Sequence, residues 1–460
     1  MISNCKIIND LFSFFIVENF ILSKYNCFKT LNEVVVGVNL RNKMLFALDV
    51  EKYQILNKYE TDLEELRKID PVFFSAMNKL GIIIDSEKDS NIPKNLLLEN
   101  RIIIFADKSY RLTINPTLNC NFSCWYCYEM HTKKHMSRSV MDATLKYIEY
   151  LITDVKINHL NLDWFGGEPL LCYKTVMKPL ACAAKELCDK NNVSFQSDIT
   201  TNGYLITPDM IPFFKMINMQ AFQITLDGEK EQHDKTRCSK KGLPSYDKIV
   251  SNICLLANEL NPKNLALRIN YTQNSFDGIF EIIDSFPIDV RNKITVLLQQ
   301  VWQDKDNCKS NIKDFEEAKL RFEKAGFNVD KNILNIKGYT CYADIYHQAL
   351  INYDGRIFKC TARNFEKEIE DGNLTNEGTI IWNNSLSKKL SKSTFENNKC
   401  LECKYLPVCF GPCSQKNSIL KDFKDFNRFC FEMGIEQTLD YIMSEFGKSG
   451  KSLAPLLDYR

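Results

Sequence analysis

The chain has 460 residues, enough for about two to four domains at roughly 100–200 residues each. A hydrophobic fraction of 45% and a charged fraction of 25%, with 59 basic residues against 58 acidic ones, exclude a disordered or fibrous chain. They give no electrostatic reason to expect nucleic acid or an anionic membrane as partner, and leave 18 cysteines as the feature to explain.

Met1–Lys24 lacks the basic start, apolar run and small-residue cleavage site of a secretory signal. Its apolar stretch Leu11–Leu22 is interrupted by Glu18 and Asn19, too short and too polar to span a bilayer. These features predict a cytoplasmic protein without a membrane partner. In that reducing compartment clustered cysteines more often ligate metals than form disulfides.

Residues 1–100 are expected to form a small α+β domain. Strands are predicted at Glu33–Leu40 and Lys43–Asp49, helices near Glu51–Tyr59 and Pro71–Leu80, and a closing strand at Gly81–Asp85. The polar stretch Asp85–Lys94, with Pro93, reads as a linker.

From 108 to 305, β-rich runs alternate with amphipathic helical patterns, the pattern of a parallel sheet or barrel. Strands are predicted at Arg111–Pro116, Asn158–Phe165, Phe195–Thr200, Ala221–Leu226, Ala266–Thr272 and Ile294–Val301. Helices are predicted at Ser139–Ile152, Tyr173–Lys190, Pro208–Met216 and Tyr246–Leu260. Six strands with helical crossovers predict an α/β fold built on a partial (β/α)6 barrel, functional at the strands' C-terminal ends. A bridging segment spans 306–340. Beyond it apolar periodicity weakens, cysteines recur, and a helix returns at Glu432–Phe446.

After the first barrel strand comes Cys120-Asn-Phe-Ser-Cys124-Trp-Tyr-Cys127. Three thiolates so spaced can hold three corners of a 4Fe-4S cubane and leave the fourth iron open. Zinc would need a fourth ligand, which His131 could supply. The motif, with Tyr126 before its third cysteine, resembles that of the radical S-adenosylmethionine (SAM) superfamily. The resemblance implies that Cys120, Cys124 and Cys127 hold the catalytic cluster. It also implies that one electron cleaves SAM to methionine and a 5′-deoxyadenosyl radical, which removes hydrogen from substrate.

Trp164-Phe-Gly-Gly-Glu-Pro169, after the second strand, resembles the family's segment for the SAM amino end, implying roles for Gly166, Gly167 and Glu168. Thr200-Thr-Asn-Gly203 and Thr225-Leu-Asp-Gly228 end the third and fourth strands. They match positions holding the ribose and methionine parts, with Thr225 where the family often has serine. Arg237 matches the arginine that pairs with the SAM carboxylate, a role suited to its bidentate fork. Leu298 is a candidate for adenine packing, or plain barrel core. His233 reads as a local hydrogen-bonding residue.

Farther on stand Cys341-x13-Gly355-x4-Cys360, Cys400-x2-Cys403-x5-Cys409-x3-Cys413 and Cys430, spacings that resemble the SPASM extension of radical SAM proteins. The resemblance implies a cysteine-rich C-terminal SPASM domain over 341–460 with two auxiliary 4Fe-4S clusters. Cys400, Cys403, Cys409 and Cys430 would hold one, and Cys341, Cys360 and Cys413 the other. The second set lacks a ligand, with His347, Asp344 or an open iron as alternatives.

SPASM proteins act on peptides or proteins. The resemblance implies a peptide maturase forming a thioether or carbon–carbon crosslink on a ribosomally made precursor, with a flavodoxin- or ferredoxin-type electron donor. In that reading residues 1–100 could bind the precursor's leader by strand addition, or act as a structural cap. The alternatives are an anaerobic sulfatase maturase making formylglycine and an inactive peptide-binding scaffold. Sulfatase maturases commonly carry an acid where Thr361 follows Cys360; the intact cysteine motif, Glu168 and Arg237 argue against the scaffold.

Overall fold

The structure, a computed structural model, describes residues 19–106, 108–301, 303–304, 312–330, 336, 341–391, 394–411, 413, 415 and 430–456. Cys5, Cys308 and the start of the Leu11–Leu22 stretch lie outside the described residues.

The first residues form β1 (Phe20–Leu22), β2 (Asn26–Leu31), β3 (Val34–Asn39) and β4 (Met44–Asp49). The last three make an antiparallel meander in which Cys27 pairs with Val38 and Val36 with Ala47. Its β2–β3 turn places Asn32 at φ 52°, a conformation that asparagine tolerates. Helices Val50–Lys58, Leu63–Ile69 and Pro71–Lys79 follow. Asp70 starts the third by accepting from Phe73 N, with Pro71 at the first helical position. The closing strand β5 (Ile83–Asp85) pairs with β1.

The expected linker is helical instead. Asp85 accepts from Glu87 N and Lys88 N and caps a helix, Ser86–Ile104, that accommodates Pro93. Most of its polar residues face outward, while Ile92, Leu96 and Asp89 are buried, Asp89 accepting from Ser23 Oγ at 2.6 Å.

The barrel strands are β6 (Ser109–Ile114), β7 (His159–Trp164), β8 (Ser194–Thr201), β9 (Met219–Leu226), β10 (Asn264–Tyr271) and β11 (Ile294–Gln300). All six are parallel and adjacent in chain order, because an intervening helical segment returns the chain each time. The crossover helix Arg138–Thr153 buries Met141, Thr144, Ile148, Leu151 and Ile152, the single face that its 3.6-residue period brings together.

The bridging segment extends this sheet. Helix Ile312–Lys324 leads to β12 (Asn328–Val329), which pairs parallel with β11. At the opposite end β13 (Gln348–Ile351) pairs parallel with β6 and continues antiparallel into β14 (Arg356–Phe358), β15 (Gly372–Leu374) and β16 (Ile380–Trp382). The cysteine-rich region therefore shares a sheet with the barrel.

The N-terminal unit, expected to be complete within residues 1–100, is completed from the other end of the chain. Helix Glu432–Lys448 packs Ile435, Leu439, Ile442, Met443 and Phe446 into one core with Tyr25, Val36, Val38 and Leu45. Beyond it β17 (Leu453–Pro455) pairs antiparallel with β4. A three-residue strand whose partner lies far back in the chain leaves no local periodicity to read. Among the described residues, no helix is long and apolar enough to cross a membrane.

Candidate active site

The C-terminal ends of the barrel strands open onto a cavity of about 580 Å³ that includes Cys120, Cys124, Cys127, Tyr126, Thr225 and Arg237 in its wall. The cysteine loop leaves β6 through Thr117, whose hydroxyl donates to Lys134 O at 2.6 Å and accepts from Asn119 N at 3.0 Å. Burial pushes the thiols of Cys120 and Cys127 up to about 12 and about 11. Cys124 is also raised by burial, against the opposing charge of Arg237. Such thiols are poor free nucleophiles and ionise when a metal supplies positive charge.

Among the described residues, no three Cys, His, Asp or Glu groups gather at the spacing of a single metal ion. Three thiols on one loop match the donor chemistry of an iron–sulfur cluster, which spreads its thiolates over separate irons. His131, the alternative zinc ligand, turns Nδ1 to the Leu118 carbonyl at 2.8 Å.

The Gly-Gly-Glu-Pro segment braces this loop. Gly167 N donates to Thr117 O at 3.2 Å and Glu168 N to Asn119 O at 2.9 Å. A Cβ on Gly167 would lie 2.3 Å from Asn119 O and 2.5 Å from Leu118 O; one on Gly166, at φ 107°, would lie 2.4 Å from Thr117 O. Both glycines are required by the neighbouring backbone, and both border the cavity.

Glu168, expected to face the SAM ammonium, is fully buried. Its carboxylate accepts from Leu170 N, Thr201 Oγ1 and Asn202 N at 3.0, 2.8 and 2.8 Å, and it is not among the residues lining the cavity. It joins the ends of β7 and β8 instead. Leu298 follows the plain-core alternative: Leu297 lines the cavity, and Leu298 packs against the hydrophobic core. Alternation along β11 separates the two side chains.

Tyr126 is the hub of the opposite wall. Its hydroxyl donates to Asp227 at 2.6 Å and accepts from Arg237 Nη1 at 2.7 Å and Asn270 Nδ2 at 3.1 Å. Arg237 lies 3.9 Å from Asp227 and keeps a buried Nε without a hydrogen-bond partner. Arg237 lines the cavity, and a guanidinium with a donor still unpaired there fits an exogenous carboxylate. His233 is buried beneath, accepting from Asp227 N at 3.2 Å and facing Ser245 Oγ at 3.0 Å.

Several wall residues were not singled out from the sequence. Asn202 donates to Asn121 Oδ1 at 2.7 Å and reaches Cys120 Sγ at 3.8 Å; its place in Thr-Asn-Gly, like that of Asp227 in Thr-Leu-Asp-Gly, was the available signal. Arg268 lies on β10, with its Nε donating to Asn270 Oδ1 at 3.0 Å. Arg111 pairs with Asp163, which burial raises to about 6 despite that partner. No local motif marks these strand positions.

The cysteine-rich region meets the same cavity through Tyr342 and Thr361. Tyr342 Oη lies 2.6 Å from Thr361 Oγ1 and 3.9 Å from Cys360 Sγ. Cys341 has Asp344, Cys413 and Cys360 as electrostatic neighbours. His347, expected as the missing ligand, instead has its ring 5.8 Å from that of Tyr110 and 5.3 Å from that of Tyr346. The parallel pairing of β13 with β6 sets it there, beside the start of β6 and away from the barrel mouth. Asp344 is the carboxylate that acts on Cys341. Cys400, Cys403, Cys409 and Cys430 converge on a separate small cavity, and burial raises Cys400 to about 12.

Residues 114–261 match the radical SAM superfamily. The serine-type anaerobic sulfatase-maturating enzyme of Bacteroides thetaiotaomicron is 24% identical over 400 residues, covering 77% of this chain and 92% of that protein. The radical SAM cyclopropyl synthase TigE of Paramaledivibacter caminithermalis is 25% identical over 331 residues, 64% of this chain and 65% of the synthase. The structure of native anSMEcpe with bound AdoMet and Cp18Cys peptide has a TM-score of 0.50 at 18% identity, covering 72% of this chain and 99% of that one. This last likeness shows a shared fold.

Proposed function

We propose that this radical SAM enzyme is a peptide maturase, one that abstracts hydrogen from a ribosomally made precursor and leaves a thioether or carbon–carbon crosslink. Its radical SAM domain underlies SAM binding and the catalytic iron–sulfur cluster. The observation that carries the finer reading is one cavity shared by the three-cysteine loop, Arg237 and, through Tyr342 and Thr361, the cysteine-rich region.

Cys120, Cys124 and Cys127 would hold the cluster, with Arg237 Nε gripping the SAM carboxylate and Thr225 beside it. Gly166 and Gly167 shape the loop, Glu168 fixes its support, and Leu297 replaces Leu298 as the apolar wall available to adenine. When bound, the cluster and SAM supply the reducing electron and the 5′-deoxyadenosyl radical. Tyr126 and Asp227 hold Arg237 in place, and Arg111, Asp163 and Arg268 offer the polar wall that a peptide backbone needs.

Two auxiliary clusters belong to this reading, on Cys400, Cys403, Cys409 and Cys430, and on Cys341, Cys360 and Cys413. For the latter, Asp344, whose charge acts on Cys341, is favoured as fourth ligand over His347. A flavodoxin- or ferredoxin-type protein would deliver electrons. Leader binding by strand addition meets a constraint, since β17 already pairs with the edge of β4. Among the described residues β2 pairs on one side only and offers the accessible edge.

A second reading, formylglycine formation on a sulfatase, is favoured by similarity extending over 92% of the Bacteroides enzyme. Thr361, in place of an acid, disfavours it. The test is anaerobic co-expression with a precursor encoded beside this gene, and incubation with a sulfatase-derived Ser or Cys peptide, both read by mass spectrometry. The crosslink reading requires a precursor lighter by two hydrogens and an unaltered sulfatase peptide. An aldehyde on the sulfatase peptide with an unchanged precursor would overturn it.

A further inference from the structure

The N-terminal sheet touches the outer set of cysteines through the segment entering β2. Lys24 Nζ donates to Leu401 O at 3.0 Å, and Cys27 faces the charges of Lys404 and Glu436. Between them Tyr25 is fully buried, in a core against which Cys400, Cys403 and Cys409 pack. Its hydroxyl has no hydrogen-bond partner. A buried polar group left unsatisfied is costly, so an orphan phenol invites a partner. The ionisable groups facing it are Asp89 and Cys403. Asp89 already accepts from Ser23 Oγ at 2.6 Å.

We propose that the Tyr25 hydroxyl donates a hydrogen bond to the sulfur of Cys403 when Cys400, Cys403, Cys409 and Cys430 hold their cluster, making Tyr25 a positioning residue that sets the cluster's reduction potential. The proposal rests on that ligand set. A donor to sulfur stabilises the more negative, reduced cluster and raises its potential. It also wires the N-terminal unit to the redox machinery, since a movement of β2 would lengthen the bond.

The experiment uses the full chain, reconstituted anaerobically, with iron counting and a potentiometric titration followed by electron paramagnetic resonance. Tyr25→Phe keeps the ring and its packing. It should retain all the iron of the unaltered chain and shift one cluster's potential negative, with the others unmoved. A more acidic fluorotyrosine at position 25 should shift the same signal positive, and Asp89→Asn should leave it in place. An unmoved potential in Tyr25→Phe, or loss of one cluster's iron from it, would overturn the proposal. If Cys403→Ala loses no iron, the ligand set itself fails and the proposal falls with it, a result distinct from failure of the hydrogen bond alone.

Discussion

Arg237 Nη1 donates to the hydroxyl of Tyr126 at 2.7 Å, tying the end of the short helix Lys230–Thr236 after the fourth barrel strand to the middle of the cysteine loop. The same oxygen donates to Asp227 at 2.6 Å, so one neutral phenol bridges and orients a buried cation and a buried acid together. Hydrogen bonds to charged groups contribute about 1.5–3 kcal/mol. Tyr126→Phe should therefore weaken SAM binding by about tenfold to a hundredfold, at about 1.4 kcal/mol per tenfold, with iron content retained. Equilibrium dialysis measures this, and an unaltered dissociation constant would disprove the link.

Gly167→Ala tests the brace under the loop. A methyl group 2.3 Å from Asn119 O and 2.5 Å from Leu118 O must displace backbone, because neither atom belongs to a flexible side chain. The variant should fold with a normal far-ultraviolet spectrum and lose the iron of one cluster, as counted after reconstitution. Full iron content would show that the loop gives way without cost.

His233 predicts an acid-side loss of stability. Burial lowers it from 6.5 to about 2, so below pH 6.5 the unfolded chain takes up a proton that the folded chain refuses. Its contribution is present above pH 6.5 and falls by about 1.4 kcal/mol per unit below it. His233→Gln should flatten that part of the slope in anaerobic thermal melts between pH 7.5 and 5.5. An equal slope in both proteins would remove His233 as the cause.

Asp371 anchors the cysteine-rich region. Fully buried, it pairs with Lys389 at 2.6 Å and Arg363 at 3.3 Å and accepts from Ser385 Oγ at 2.7 Å. Asp371→Ala would leave the nearly buried Lys389 facing an empty site, while Arg363 keeps its pair with Glu368, at a cost of about 3–5 kcal/mol. Denaturant titration should show this. A loss below about 1 kcal/mol would mean that water reaches Lys389.

The barrel was legible because buried parallel strands are short apolar runs stopped by glycine or polar residues. The run at Ile294–Val301, for instance, became a strand over Ile294–Gln300. The cysteine loop stood out because three cysteines fall within the eight residues Cys120–Cys127 after β6, and the structure brings all three to one cavity. Other features depended on contacts distant in sequence. The 85–94 stretch looked like a linker because only Ile92 and Leu96 give its helix an apolar face. The return of Leu453–Pro455 to β4 left no local trace. Within the site, Glu168 and Leu298 were placed from motif position alone, and their directions came from neighbours: three donors surround Glu168, and strand alternation turns Leu298 from the cavity. His347 was placed by ligand count, whereas strand pairing carried its ring to Tyr110.

The central claim is that Cys120, Cys124 and Cys127 hold the cluster that cleaves SAM. Its most direct test is 5′-deoxyadenosine formation under strictly anaerobic reduction, comparing the reconstituted chain with a variant in which these three cysteines are alanine. The account predicts 5′-deoxyadenosine and methionine from the unaltered chain and neither from the variant, which should keep the iron of its auxiliary clusters. Equal 5′-deoxyadenosine from both proteins would contradict it.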